Sequence, residues 1–175
     1  CQTSPMRNLT ATICLTIAML LGSAGTGWST NPVKGYCLAG TKHSHYPISG
    51  KCSASYEKGD YATALREWTP LAKLENSSAQ YNLGQMYRNE YQYKIAVKWY
   101  RLAAEQGDAY AQSNLGFMYD KGNGVYQDDK TAVKWYRLSA EQGIDTAQYN
   151  LGVMYRDGYG VLQDYKTAVK WFRLA

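Results

Sequence analysis

At 175 residues, 45% apolar and 19% charged, the chain is long enough for about one folded domain and too apolar for wholesale disorder. Most of its net charge of +5 sits in residues 1–56, which carry Arg7, Lys34, Lys42 and Lys51 and no acid. The other 119 residues carry 15 basic and 14 acidic groups, so the body lacks the basic excess of a nucleic-acid binder. The only two histidines are His43 and His45, which excludes most histidine-based catalysis from the body of the chain.

In chain order, the first methionine is Met6, and residues 1–5 read as upstream sequence. Arg7, an apolar run from Leu9 to Leu21, and the small residues Gly22, Ser23 and Ala24 form the pattern of a secretory signal cleaved after Ala24. Thirteen residues, softened by Thr10, Thr12 and Thr16, are too few for a bilayer, which needs about 20; an uncleaved anchor is the alternative. Cys14 lies inside the run rather than after it, which argues against a lipid-anchored start. Residues 1–24 are therefore assigned to the signal and its upstream residues, and 25–50 to an N-terminal extension. Export places Cys37 and Cys52 in an oxidising space. A bridge between them closes a 15-residue loop and adds about 3 kcal/mol on the chain-entropy model. Free thiols remain open, as does a four-ligand zinc site with His43 and His45. Residues 51–75 read as a capping helix pair. Pro70 falls in its second helix and is expected to kink or shorten it. Trp68 falls where later copies carry Tyr100.

Residues 76–175 are a repeat. Ala96–Thr131 aligns with Ala132–Thr167 at a period of 36, with 25 identical residues. A further copy starts at Ala168, and a shorter one starts at Ala64 without the Gly-rich loop. Each copy predicts two helices. In Thr146–Asp157, Ala147, Leu151, Met154 and Tyr155 fall on one face, and Gly158 and Gly160 end the helix. Asp128 and Asp164 stand at N-cap positions. The second helices bury Ala132, Trp135, Tyr136 and Ser139, then Ala168, Trp171 and Phe172. Gly107 and Gly143 stop them. Gly84, Gly116 and Gly152 fall inside helices, where glycine costs about 1 kcal/mol relative to Ala; the expected return is close helix approach. The sequence stops before the Ala-Glu-Gln-Gly that closes earlier copies, and it reads as a fragment.

The pattern Ala111, Leu115, Gly116, Tyr119, Gly122, Gly124, Val125, Asp128, Ala132, Trp135, Tyr136, Ala140 and Gly143 resembles the Sel-one-like repeat family, relatives of the tetratricopeptide repeat. The resemblance covers about residues 52–175, recurs in register, and departs from the family in the short loop of the 76–107 copy. It implies an all-α fold, an α/α superhelical solenoid of helix-turn-helix repeats. It also implies a protein that holds other proteins together, as exported bacterial envelope adaptors or host-contact factors do, or a member working in the endoplasmic reticulum lumen. No cofactor or metal is implied, and the expected partner is a protein or an extended peptide. Cysteine-rich relatives for which β-lactam binding or hydrolysis has been proposed supply an enzyme alternative. The present repeats lack their cysteine pairs and hold no histidine, which favours the scaffold.

In the related tetratricopeptide fold the first helix of each pair lines the concave groove. The resemblance then gives three inward rows: Tyr81, Ser113 and Tyr149; Gln85, Phe117 and Val153; and Arg88, Asp120 and Arg156. These positions change from copy to copy while packing positions recur, as expected of a surface reading one irregular partner with aromatic and Arg anchors. Asn82, Asn114 and Asn150 precede each Leu-Gly. They read either as carboxamides gripping a peptide backbone or as bonds that fix repeat stacking. The recurring Lys98 and Arg101, Lys134 and Arg137, and Lys170 and Arg173 read as a solvated outer face, with Glu105 and Glu141 placed to pair with Arg101 and Arg137.

Overall fold

The computed structural model describes residues 59–175 together with the backbone of two short strands, β1 (Leu38–Ala39) and β2 (Ile48–Ser49). All of these belong to the second of the chain's two units, Val33–Ala175. The signal, Cys37, Cys52, His43 and His45 lie outside the described residues. β1 and β2 pair antiparallel, Leu38 opposite Ser49 and Ala39 opposite Ile48, inside the extension. Seven helices follow: α1 (Tyr61–Lys73), α2 (Ser77–Asn89), α3 (Tyr93–Glu105), α4 (Ala109–Lys121), α5 (Asp129–Glu141), α6 (Asp145–Asp157) and α7 (Tyr165–Phe172). Helices consecutive in sequence pack on one another, and α2 also reaches α4. This is the all-α solenoid of helix pairs that the period of the sequence predicts.

Five of the seven helices start where a side chain takes up a free backbone donor; α3 and α6, entered from Gln92 and Ile144, have no such cap. Asp60, Asn76, Asp108 and Asp128 accept from the amides of Thr63, Ala79, Ala111 and Thr131, and Asp164 accepts from Lys166 and Thr167. The N-terminal position of the capping pair lies outside the described residues, and α1 is its described helix. Pro70 does not shorten α1, which keeps the 13 residues of α2 to α6. The ring stands on the exposed side, and the Pro70 carbonyl still accepts from Leu74, so the missing N–H removes one bond without stopping the ladder. Trp68 takes the buried place of Tyr100 and Tyr136.

The core is a row of clusters, each built from the buried stripes of neighbouring helices: Ala96, Tyr100, Ala111, Leu115 and Met118 in one, and Ala132, Tyr136, Ala147, Leu151 and Met154 in the next. Trp135 and Trp171 are half-buried rather than buried. They lie on the flank of the stripe, and each packs back onto the preceding cluster. Lys134 holds its ammonium 5.8 Å from the Trp135 ring. The mid-helix glycines have the expected role. A Cβ on Gly116 would stand 2.8 Å from Tyr136 Cδ1, and one on Gly84 or Gly152 would stand 2.6 Å from the ring of Tyr100 or Phe172.

Glutamines join the repeats. Gln80, Gln112 and Gln148 are buried, and each donates through Nε2 to the carbonyl eight residues back, on Ala72, Ala104 or Ala140, at 3.0–3.1 Å. The Oε1 atoms of Gln80 and Gln112 accept in turn from Gln106 and Gln142 at 2.7 and 2.8 Å. The Oε1 of Gln148 is buried and has no partner among the described residues.

Two stability predictions follow from this packing. Gly116→Ala gains helix propensity but overpacks the Tyr136 contact, a net loss of about 1–2 kcal/mol in urea unfolding; an unchanged midpoint contradicts the contact. Glu75 holds φ +60 where Gly107 and Gly143 hold +91 and +86. Glu75→Gly removes a left-handed strain of about 1 kcal/mol and should raise the same midpoint, whereas a fall would show that the Glu75 side chain outweighs the strain.

Candidate partner-binding face

The first helices of the repeats, α2, α4 and α6, carry the predicted inward rows, and α2 and α4 meet directly. Tyr81 and Tyr110 bring their rings to 6.0 Å, and Arg88 donates from Nη1 to Asn114 Oδ1 at 2.9 Å. Tyr81, Asn82, Gln85 and Arg88 on α2, and Asn114, Phe117 and Asp120 on α4, are all half-buried. On α6, Asn150 and Val153 are half-buried, while Tyr149 and Arg156 are exposed. Ser113 departs from its row. It is buried, with its Oγ 3.5 Å from Thr146 Oγ1, because a residue this small is covered by the neighbouring helix.

Hydrogen bonds divide the face into fixed and open groups. Gln85 donates to the Tyr81 hydroxyl at 2.8 Å and accepts from the Tyr100 hydroxyl at 2.6 Å. The Tyr136 hydroxyl points at Asp120, 3.4 Å away, and Asp120 pairs with Lys121 at 3.1 Å. Arg156 is held by Asp157 at 2.7 Å, and that bond keeps the Asp157 carboxyl below its ordinary range. Asn114 is engaged at both ends, donating to the Tyr110 carbonyl at 2.9 Å while accepting from Arg88. At this position the asparagine therefore acts as a stacking bond. Asn82 and Asn150 make no hydrogen bond among the described residues and present open carboxamides. Burial first, and then the Asp108 carboxylate, push Tyr81 up to about 12. Burial and Asp120 push Tyr136 further in the same direction.

Two features lie outside the predicted rows. Tyr110 joins the face beside Tyr81, although its counterparts in the other copies are the small Ser78 and Thr146, so no row marks it. On the other helices, Arg101 and Arg137 do not pair with Glu105 and Glu141. They reach forward to the hydroxyls of Tyr119 and Tyr155 at 2.7 and 2.6 Å, because a long guanidinium on a second helix meets the next repeat sooner than its own next turn. A cleft of about 650 Å³ lies between the start of α3 and the Gly-rich loop, lined by Lys94, Tyr119, Gly122, Gly124, Val125, Tyr126 and Asp128. It shares no residue with the rows. Protein partners read extended faces rather than cavities, so the cleft does not compete with the rows as a protein-docking surface.

Among the described residues no three His, Cys, Asp or Glu side chains gather as metal ligands, and no helix is long and apolar enough to cross a membrane.

The architecture and the recurring residues agree with direct comparison. The Sel1 repeat family matches residues 77–108, 109–144 and 145–175, and the chain belongs to that family. Its repeats are protein-interaction modules. A Sel1 repeat protein from Oxalobacter formigenes is 36% identical with a TM-score of 0.67, over 71% of this chain and 53% of that one. A protective antigen present in uropathogenic Escherichia coli strains, c5321, which displays an SLR fold, is 39% identical with a TM-score of 0.66, over 69% of this chain and 28% of that one. The chain thus spans about half of the first structure and under a third of the second. The cysteine-rich protein B of Helicobacter pylori, 22% identical with a TM-score of 0.51 over 67% of this chain and 86% of that one, shares the fold. No curated protein sequence matches the chain significantly.

The raised Tyr81 value carries a sign that can be tested. The folded state keeps this phenol protonated up to about 12, while the unfolded chain releases it near 10. Stability is therefore level below pH 10 and falls as pH rises from 10 towards 12. Tyr81→Phe should make that fall shallower in urea titrations at about pH 9 and about pH 11; an equal fall in both proteins would place Tyr81 in water.

Proposed function

We propose that the chain is an exported scaffold that docks a protein or an extended peptide on the face shared by α2, α4 and α6, with no chemistry of its own. One observation carries this reading. Between copies with 25 of 36 residues identical, the packing positions recur as Ala, Leu-Gly and Met, while the face positions change from Gln to Phe to Val and from Arg to Asp to Arg, and Tyr81 and Tyr149 stand on either side of a buried Ser113. Packing demands sameness, whereas a surface that reads one irregular partner does not. Half-buried Phe117 and Tyr81 and the exposed Tyr149 are residue types that dominate binding energy when a partner covers them. The apolar run and small-residue end of residues 9–24 support export to a periplasm or beyond, or into the endoplasmic reticulum lumen in a eukaryotic setting.

The test is crosslinking capture from envelope extract with the full chain and with a Phe117→Ala, Tyr149→Ala double variant. A partner held through these anchors loses about 2 kcal/mol or more, roughly 30-fold in affinity, with the bait still helical by circular dichroism at the capture temperature; its thermal midpoint falls, because Phe117 also packs on two core clusters and Tyr149 on Phe172. Equal capture by both baits would move the docking surface away from this face.

A further inference from the structure

Arg88 is a half-buried cation that makes no ion pair with any described carboxylate, although Asp108 acts on the same Tyr81 hydroxyl as it does. Arg101, Arg137 and Arg156, and the acid in its row, are otherwise engaged. Arg156 is paired with Asp157, and Asp120, at the equivalent position of the next repeat, is paired with Lys121. Arg101 and Arg137 spend a donor on tyrosine hydroxyls. Arg88 makes one neutral hydrogen bond, from Nη1 to Asn114 Oδ1 at 2.9 Å, and no ion pair with any described carboxylate. The bond sets the guanidinium in place, because Asn114 is itself anchored on the Tyr110 carbonyl. The Arg88 charge reaches the Tyr81 hydroxyl, and the Tyr81 ring lies 6.0 Å from that of Tyr110. A guanidinium offers five N–H donors in a rigid fork that matches a carboxylate, so four remain for an incoming anion. An arginine held this way has lost part of its water and lies close to an aromatic wall. This is the setting in which a carboxylate adds a charge-assisted contact at little ordering cost.

We propose that Arg88 reads an aspartate or glutamate side chain of the partner, with an apolar residue next to it laid on the Tyr81–Tyr110 wall. This rests on the docking face proposed above and names the chemistry of its occupant. The acid belongs to a side chain rather than a chain end, because Arg88 lies where the first repeat meets the second and the face continues beyond it through Phe117 and Val153. The acidic demand is confined to this spot, since Asp120 would repel a second carboxylate one repeat on.

A library of random peptides, displayed through their C-termini so that none offers a free chain end, would be selected on the full chain. The expected result is an Asp or Glu enriched at a fixed distance from an apolar residue. Arg88→Glu should select Lys or Arg at that same place. Arg88→Met, which keeps the apolar stem, should weaken the selected peptides by about tenfold, with circular dichroism unchanged. Selected peptides with no acid at a fixed place, or with affinity for Arg88→Met within about twofold of the original, would overturn the assignment and leave the docking face standing. Peptides indifferent to the Phe117→Ala, Tyr149→Ala variant as well, or no enrichment at all, would overturn both. Binding only by synthetic peptides with a free C-terminus would overturn the side-chain source.

Discussion

The structure turns on three missing methyl groups. Gly84, Gly116 and Gly152 let the ring of Tyr100, Tyr136 or Phe172 lie against the backbone of the first helix, in space a Cβ would occupy. The ring then crosses that helix and delivers its far end to the side that carries the three rows. Where the ring ends in a hydroxyl, an acceptor waits: Gln85 for Tyr100 and Asp120 for Tyr136. The α6 positions matching Gln85 and Asp120 are Val153 and Arg156, neither of which offers an acceptor, and there the ring is Phe172, which has no hydroxyl. Each buried tyrosine thus fixes one acceptor on the outer surface of its repeat.

The bonds between repeats are of a different kind. Buried glutamines satisfy carbonyls at the end of the preceding helix, where four carbonyls have no partner within the helix. Arg101 and Arg137 fasten to Tyr119 and Tyr155. Of the three rows, only Arg88 with Asn114 and Ser113 with Thr146 bond one repeat to the next. Stacking is thus secured largely by groups outside the rows. The face is left free to vary, as the comparison of one copy with the next shows.

Much of this was legible in the chain itself. A 36-residue period with Gly-x-Gly loops and an aspartate before each second helix specifies helix pairs almost residue by residue, because the caps and breakers act locally. The glycines inside helices signalled close approach, because a helix accepts them only for a packing reason. Harder to read was anything decided between repeats. Ser113 shares a row with two tyrosines yet is buried, because small size lets a neighbour close over it. Tyr110 joins the face although its counterparts are Ser78 and Thr146. Arg101 faces two candidate partners, Glu105 at helical spacing and Tyr119 on the next repeat, and only the packing of α3 on α4 selects the second. Pro70 looked disruptive, but it sits on the wet side of α1, where one lost bond is tolerated.

The glutamine relay has a consequence for how such a chain can change length. Gln106 serves Gln80, Gln142 serves Gln112, and each recipient reaches back eight residues. The same bonds recur at equivalent places from one copy to the next. A deletion or duplication of one whole copy, begun at any point within it, therefore restores all of these bonds at the new junction. Loss of any other number of residues from the helices strands a buried amide. Gain or loss of one whole copy is thus the change of length that the packing tolerates best. The loop residues missing from the first copy show where the rule relaxes, since they lie outside the relay.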